Sequence, residues 1–179
     1  GATTKANMLS SPLRSRFGAT FRLDYYNLED VARIVRRSAG ILGIEIDDGA
    51  VHFLARASRF TPRVANRLLR RARDFSQVYG NGMITEDSVE KTLDMLEIDE
   101  KGLEQVDRDL LRIIIEKFRG GPVGLGAVSA ALHEEPGTVE DVYEPYLMSV
   151  GFLNRTQMGR IATPEAYKHL GLEVPDALL

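Results

Sequence analysis

The sequence contains no cysteine and no tryptophan, and it has only three histidines, His52, His133 and His169. Without cysteine there is no disulfide framework and no thiolate site, a composition typical of the reducing cytoplasm, where we expect the protein to be found. The histidines do not have the spacing of zinc ligands, so we predict no metal site. No run of about 18 apolar residues is present, which excludes a membrane-spanning helix of the usual kind.

The residues that are present are typical of a globular protein with one large domain or two small ones. Of the 179 residues, 44% are hydrophobic and 27% are charged. The net charge is −3, and residues 100–179 hold only 8 Lys and Arg against 13 Asp and Glu. A general DNA-binding surface would be more basic, so any contact with nucleic acid must be local or shared among several copies of the chain.

The chain begins Gly-Ala-Thr-Thr, with no initiator Met and no signal-peptide pattern. We therefore interpret it as a piece of a longer protein that starts partway through a domain. Residues 11–17 favour a short helix, anchored by Leu13 and Phe17, from which Arg16 points outward. Residues 21–25 alternate between apolar and polar side chains, which predicts a short strand.

Four helices are predicted in the next part of the chain, each preceded by a residue that can cap a helix N-terminus. They cover about 28–39 after Asn27, a segment after Asp47 or Asp48, 61–79 after Thr61, and about 86–96 after Thr85. Four helices within about 70 residues form a small helical bundle.

The helix that begins at Thr61 has a cation in its first turn. The Thr61 hydroxyl is placed to cap a backbone N–H group, and Pro62 suits the first helical position. Arg63 follows and opposes the helix dipole by about 0.3–1 kcal/mol. Either an anion is held there by the helix N-terminus and the guanidinium together, or Arg63 is an ordinary exposed residue.

A polar linker at residues 97–102 precedes a section that predicts a winged helix, the variant of the helix-turn-helix in which a β-hairpin forms the wing. The predicted order is a helix over about 106–118, a turn at 120–125, a helix over 125–132, a helix over 138–150 capped by Thr138 and kinked by Pro145, a hairpin around 156–159, and a last helix after Thr163.

The second helix of this module is unsuited to reading bases. It contains Glu140, Asp141 and Glu144 and no Lys or Arg, so phosphates would repel it. Arg155 and Arg160 flank the hairpin turn, and we expect any DNA contact from them, through phosphates and without strong sequence preference. The alternative interpretation is a module that binds another protein.

Several long motifs in collinear order together resemble the bacterial RuvB family, the Holliday-junction branch-migration motors of the AAA+ class. They are G-A-T-T at 1–4, L-S-S-P-L-R-S-R-F-G at 9–18, T-P-R-V-A-N-R-L-L-R-R at 61–71, L-D-M-L at 93–96, G-G-P-V-G-L at 120–125, E-D-V-Y-E-P-Y-L at 140–147 and G-F-L-N-R-T at 151–156. No single motif decides the resemblance, which covers essentially the whole chain.

The resemblance implies a mainly α fold in three parts. These are the end of an AAA+ α/β ATPase domain (1–26), a small four-helix lid domain (27–97) and a winged-helix head domain (100–179). It also implies ATP or ADP with Mg²⁺ as ligands of the full-length protein, and a homohexamer that moves DNA while RuvA holds the junction and RuvC joins the complex. The phosphate loop and the segment that contacts RuvA would lie upstream of this chain.

Six residues match functional positions of the family. The resemblance implies that they are Thr4 as the sensor-1 threonine, Arg16 as the arginine finger that reaches a neighbouring subunit's ATP, Tyr26 beside the nucleotide at the hinge between the ATPase subdomains, Arg63 as the sensor-2 arginine, and Arg155 and Arg160 as contacts to the DNA backbone.

The chain departs from the family pattern at three places. Phe60 stands where the family usually has Gly, which should change the approach to the helix that carries Arg63. In the wing, Gln157-Met158 replaces a pair that includes a cation. Pro136 or Gly137 stands where the family often has another arginine. Weaker and less salt-dependent DNA binding by the head domain is therefore expected.

Two alternative classes share part of this pattern. A clamp-loader-like or replication-initiator AAA+ ATPase would have the finger and the sensor-2 helix, but an initiator's second winged-helix helix should be basic. A winged-helix transcription regulator would leave the motifs at 10–18 and 61–73 unexplained.

Overall fold

The computed structural model describes residues 1–3 and 8–175 and is mainly helical, as predicted. The helices are α1 (Ser11–Arg14), α2 (Leu28–Leu42), α3 (Asp48–Ala57), α4 (Pro62–Tyr79), α5 (Glu86–Met95), α6 (Gln105–Arg112), α7 (Leu125–Leu132), α8 (Pro136–Thr138), α9 (Glu144–Ser149) and α10 (Pro164–His169), and the strands are β1 (Leu153–Thr156) and β2 (Gly159–Ala162). None of the helices in the described ranges has the length and apolar character needed to cross a membrane.

Helices α2–α5 form the helical domain, and capping explains where they begin. Asn27, Asp47 and Thr85 each accept a hydrogen bond from a backbone N–H of the following first turn, as the sequence predicts. The apolar faces of the four helices then enclose one core. Its large buried members are Val31, Val35, Val51, Leu54, Leu68, Leu69, Ile84, Val89 and Leu93.

The segment before α2 differs from the prediction. Residues 18–27 contain no strand, and Phe21 and Leu23 are 83% and 90% exposed. A strand needs a partner for its backbone hydrogen bonds and a face to bury, and the described chain offers this segment neither. Leu13 and Phe17 are also about half exposed, so they do not anchor α1 against the helical domain.

A second core defines the winged-helix domain. It includes Leu110 and Leu111 of α6, Val128 of α7, Leu147 of α9 and Leu153 of β1. The hairpin pairs β1 with β2 in antiparallel register, and Val123 adds a bridge to Arg160 with hydrogen bonds of 3.0 and 2.8 Å. The predicted order of helix, extended piece, two helices, hairpin and last helix is therefore confirmed.

The helix over 136–149 begins earlier than predicted. Pro136 opens α8 after Glu135, so Thr138 lies inside the helix and does not cap it. A π-helical turn, Val139–Tyr143, joins α8 to α9, whose second residue is Pro145 and cannot supply a backbone N–H. A similar π-helical turn, Ile113–Lys117, extends α6.

Candidate nucleotide sensors and DNA-binding wing

The first turn of α4 carries Arg63, whose neighbours Pro62 and Val64 are partly buried. Thr61 has the backbone geometry of an N-cap, but its hydroxyl donates to the carbonyl of Ser58 at 3.2 Å and caps no N–H group. Arg63 is exposed, and within the described part of the chain it makes no hydrogen bond or ion pair. The first turn of α4 therefore combines an exposed cation with a helix N-terminus that no side chain caps, an arrangement that suits an anion.

Tyr26 lies against the segment that leads into α4. Its backbone N–H donates to the carbonyl of Phe60 at 3.3 Å, and the residue is 48% exposed. The structure therefore brings Tyr26 and the start of the Arg63 helix to one corner of the helical domain. Sequence alone places these residues almost 40 positions apart.

Arg59 and Phe60 turn the chain from α3 into α4 through an unusual backbone. Their φ angles are +54° and +53°, in the left-handed region that glycine adopts freely and other residues disfavour. Phe60 stands where the resemblance implies Gly, and a residue with a Cβ keeps this turn only at a conformational cost. The Phe60 ring packs against the core of the winged-helix domain, and this contact offsets part of the cost.

Arg59 joins the two domains. Its Nε donates to the carbonyl of Gly102 at 2.8 Å, and its Nη2 donates to the buried carboxylate of Asp107 in α6. The guanidinium also lies 5.0 Å from the ring centre of Tyr146, a cation–π contact. An exposed pair between Arg67 and Glu104, at 2.9 Å, adds a second link.

Burial changes the acidity of two groups at this junction. It raises the pKa of Asp107, an effect that the neighbouring Arg59 cation and the Glu104 backbone N–H offset only in part. Burial likewise raises the pKa of Tyr146 to about 12, so its hydroxyl stays protonated and donates to the carbonyl of Lys101 at 2.5 Å.

Two predicted nucleotide residues lie toward the start of the chain. Arg16 follows α1 and is exposed, and no hydrogen bond or ion pair links it to Tyr26 or Arg63 in the described ranges. Thr4 lies outside the described residues. Residues 1–3 and 8–175 contain no group of three or more His, Cys, Asp or Glu that could hold a metal ion.

Arg155 and Arg160 are directly opposite each other on the hairpin. Two like charges at such a position destabilise a strand pair. Carboxylates of the helix behind the hairpin offset this repulsion. Arg160 binds Glu144 through Nε at 2.6 Å and Nη2 at 3.1 Å, and Nη2 of Arg155 lies 2.5 Å from Oε1 of Glu140.

The burial of Arg160 argues against the phosphate contact expected from the sequence. Arg160 is 8% exposed and Glu144 is 1% exposed. A buried ion pair of this kind is costly to break, because both charges would be left without partners. Arg160 therefore serves as a support of the wing in this structure, whereas Arg155 is about half exposed and can meet a solvent-side anion.

Comparison with known proteins supports both domains independently. Residues 26–99 match the model of the RuvB AAA lid domain, and residues 100–171 match that of the RuvB C-terminal winged helix domain. The chain belongs to the RuvB family. This membership confirms the resemblance seen in the motifs, and it leaves the clamp-loader, initiator and transcription-regulator alternatives without support.

Solved structures of family members agree with this assignment. The Holliday junction branch migration motor RuvB of Thermotoga maritima is 50% identical, with a TM-score of 0.89 over 94% of this chain and 57% of that one. Two single-substitution mutants of the same protein are also 50% identical, each with a TM-score of 0.92 over 98% of this chain and 58% or 59% of theirs. The chain thus spans somewhat more than half the length of these family members.

Sequence reasoning missed the partners of the arginines. Nothing in the pattern around Arg59 pointed to Asp107, which lies 48 residues away. The sequence does contain one signal for the pairs of the wing, namely Glu140 and Glu144 on a helix that is followed by an arginine-bearing hairpin. Opposite charges on adjacent elements of a small domain tend to pair.

Proposed function

We propose that this chain is part of an ATP-dependent DNA motor that moves Holliday junctions in recombination and DNA repair. The full-length protein would work as a homohexamer with RuvA and RuvC as partners. The observation that carries the proposal is the match of both domains to the RuvB family, together with 50% identity to a Holliday junction branch migration motor. The contact between the segment before Arg63 and the winged-helix domain, through Arg59 and Asp107, supports it. Such a link suits a machine in which a nucleotide signal moves a DNA-binding head.

The nucleotide residues have separate proposed roles. Arg63, at the uncapped start of α4, would read the phosphates of the ATP bound by its own subunit, with Tyr26 beside the nucleotide. Exposed Arg16 would reach the ATP of a neighbouring subunit and stabilise charge in the transition state. Thr4 would act as sensor 1. Residues upstream of this chain would supply the phosphate loop and hold Mg²⁺.

Two experiments test the nucleotide part. The chain alone should neither bind a fluorescent ATP analogue tightly nor hydrolyse ATP, because it would lack the phosphate loop; micromolar binding or turnover would contradict this.

In the full-length protein, Arg16→Ala should abolish ATPase activity. Mixing the Arg16→Ala protein with subunits that keep Arg16 but lack their phosphate-loop lysine should restore some ATPase activity. If the mixture stays inactive, Arg16 does not act on the ATP of a neighbouring subunit.

The proposed DNA contact is the wing, through Arg155. Arg155→Ala should weaken binding of this chain to a junction and to random duplexes alike, and make the negative slope of log affinity against log salt shallower by about 1. Arg112→Ala is the matched control, since Arg112 is an exposed arginine of the same domain on α6. A change in base preference, or an equal loss in the control, would contradict backbone contact by Arg155.

A further inference from the structure

The guanidinium of Arg155 is already occupied in this structure. Its Nη2 lies 2.5 Å from Oε1 of Glu140, and its Nη1 lies 4.0 Å from Oε2 of Glu144. Arg160 uses both oxygens of Glu144. Glu140, in contrast, has Arg155 as its one side-chain partner among the described residues. Glu140 can therefore release Arg155 without breaking a second side-chain contact of its own among the described residues.

The two arginines and the two glutamates have no net charge together. A neutral group of this kind does not attract a phosphate over a distance, so the wing as folded is a weak DNA site. The two pairs differ in exposure, however. The Arg160–Glu144 pair is buried, whereas the side chains of Arg155 and Glu140 are 47% and 37% exposed. Exposed pairs are weak, so a phosphate can displace Glu140 from Arg155 but cannot displace Glu144 from Arg160.

We propose that Glu140 competes with the DNA phosphate for Arg155 and so limits how tightly the wing holds DNA. This inference rests on the proposed DNA contact of Arg155. When a phosphate arrives, the guanidinium turns from the carboxylate to the phosphate; when DNA leaves, Glu140 takes the guanidinium back. A head domain that passes along a backbone needs such contacts to be short-lived, because a tight contact would slow each release.

The test is duplex binding by this chain with Glu140→Gln, which keeps the side-chain shape and removes the charge. We expect affinity at low salt to rise about two- to five-fold, the ratio that corresponds to a weak exposed ion pair. Glu116→Gln is the matched control, since Glu116 is an exposed glutamate of the same domain in the π-helical turn after α6. Circular dichroism and urea midpoints show whether each variant is folded. We expect both to fold, because both positions are at least partly exposed.

A double-mutant cycle separates competition from a general charge effect. If Glu140 acts on Arg155, the gain from Glu140→Gln disappears when Arg155 is already Ala. Three results would overturn the inference and leave the proposed DNA contact intact. They are an equal gain in affinity with and without Arg155, a gain no larger than that of Glu116→Gln, and no gain at all. If no variant and no parent chain binds DNA, the proposed contact fails, and the inference fails with it.

Discussion

Arg59 of the helical domain donates to the carboxylate of Asp107 in the winged-helix domain, across 48 residues of sequence. The acceptor is fully buried, and the donor is largely so. Because Arg59 is part of the turn into α4, the winged-helix domain is attached to the segment that begins the Arg63 helix. If nucleotide binding shifts that helix, as we propose, the pair would transmit the shift directly to the winged-helix domain.

Breaking this pair should destabilise the chain. Arg59→Ala leaves a buried carboxylate without its cation, and we expect a loss of about 3 kcal/mol in the free energy of unfolding, measured by urea denaturation. The comparison is Arg67→Ala, which breaks the exposed Arg67–Glu104 pair and should cost less than about 1 kcal/mol. Similar losses in the two variants would mean that the Arg59 pair contributes no more than a surface contact.

The pH dependence of stability should change with Asp107→Asn. Burial raises the pKa of Asp107 in the folded chain above its ordinary value of 3.8. The folded chain therefore holds this proton more strongly than the unfolded chain does. The resulting stabilisation is fully present below the unfolded pKa and is lost as the pH rises through the folded pKa.

We therefore expect the stability of the parent chain, relative to Asp107→Asn, to fall as the pH rises from about 4 toward neutrality. Urea denaturation of both proteins over this pH range measures the difference. A difference that stays constant, or that grows with pH, would show that the carboxyl has no raised pKa in the folded chain.

Backbone strain at Phe60 predicts an inverted order of two substitutions. At most positions Gly is less stable than Ala, because it loses more conformational freedom on folding. At a φ of +53° the Cβ of Ala is disfavoured. We expect Phe60→Gly to be more stable than Phe60→Ala by about 1 kcal/mol in urea unfolding, although both lose the packing of the ring. The usual order, with Ala the more stable, would argue against a left-handed residue here.

The wing depends on a close approach at Gly121. Its φ is +97°, and a Cβ there would lie 2.2 Å from the carbonyl oxygen of Arg160. Gly121→Ala should therefore push β2 away from Val123 and cost more than about 1 kcal/mol, visible in the urea midpoint and in faster amide exchange of Arg160. Gly137→Ala in α8 meets no atom within 4 Å and should be neutral or stabilising. Equal effects would contradict this packing.

Features that depend on neighbours in sequence were predictable. Helices begin after Asn27, Asp47 and Thr85 because each side chain reaches a backbone N–H three residues ahead. The hairpin followed from apolar and polar residues around a short turn, and the winged helix followed from the order of elements. In each case the deciding interaction lies within a few residues, so the local pattern contains it.

The same reasoning failed where an interaction partner was missing. Residues 21–25 have the alternation of a strand, yet alternation becomes a strand only when another strand accepts its hydrogen bonds. Thr61 has a hydroxyl that can cap a helix, but this hydroxyl donates a hydrogen bond to the carbonyl of Ser58 instead. A residue type shows what a side chain can do, and its surroundings select among those possibilities.

The sequence by itself determined the family, the order of the helices and hairpin, and which arginines to consider. Only the tertiary structure decided what each arginine contacts. Arg160 is buried and paired with Glu144, 16 residues away, and Arg155 is paired with Glu140. Arg63 lies in the first turn of α4, which no side chain caps. The physical reason is that a charge takes its role from its surroundings. Burial and pairing depend on chain segments that folding brings together, and no local pattern specifies them.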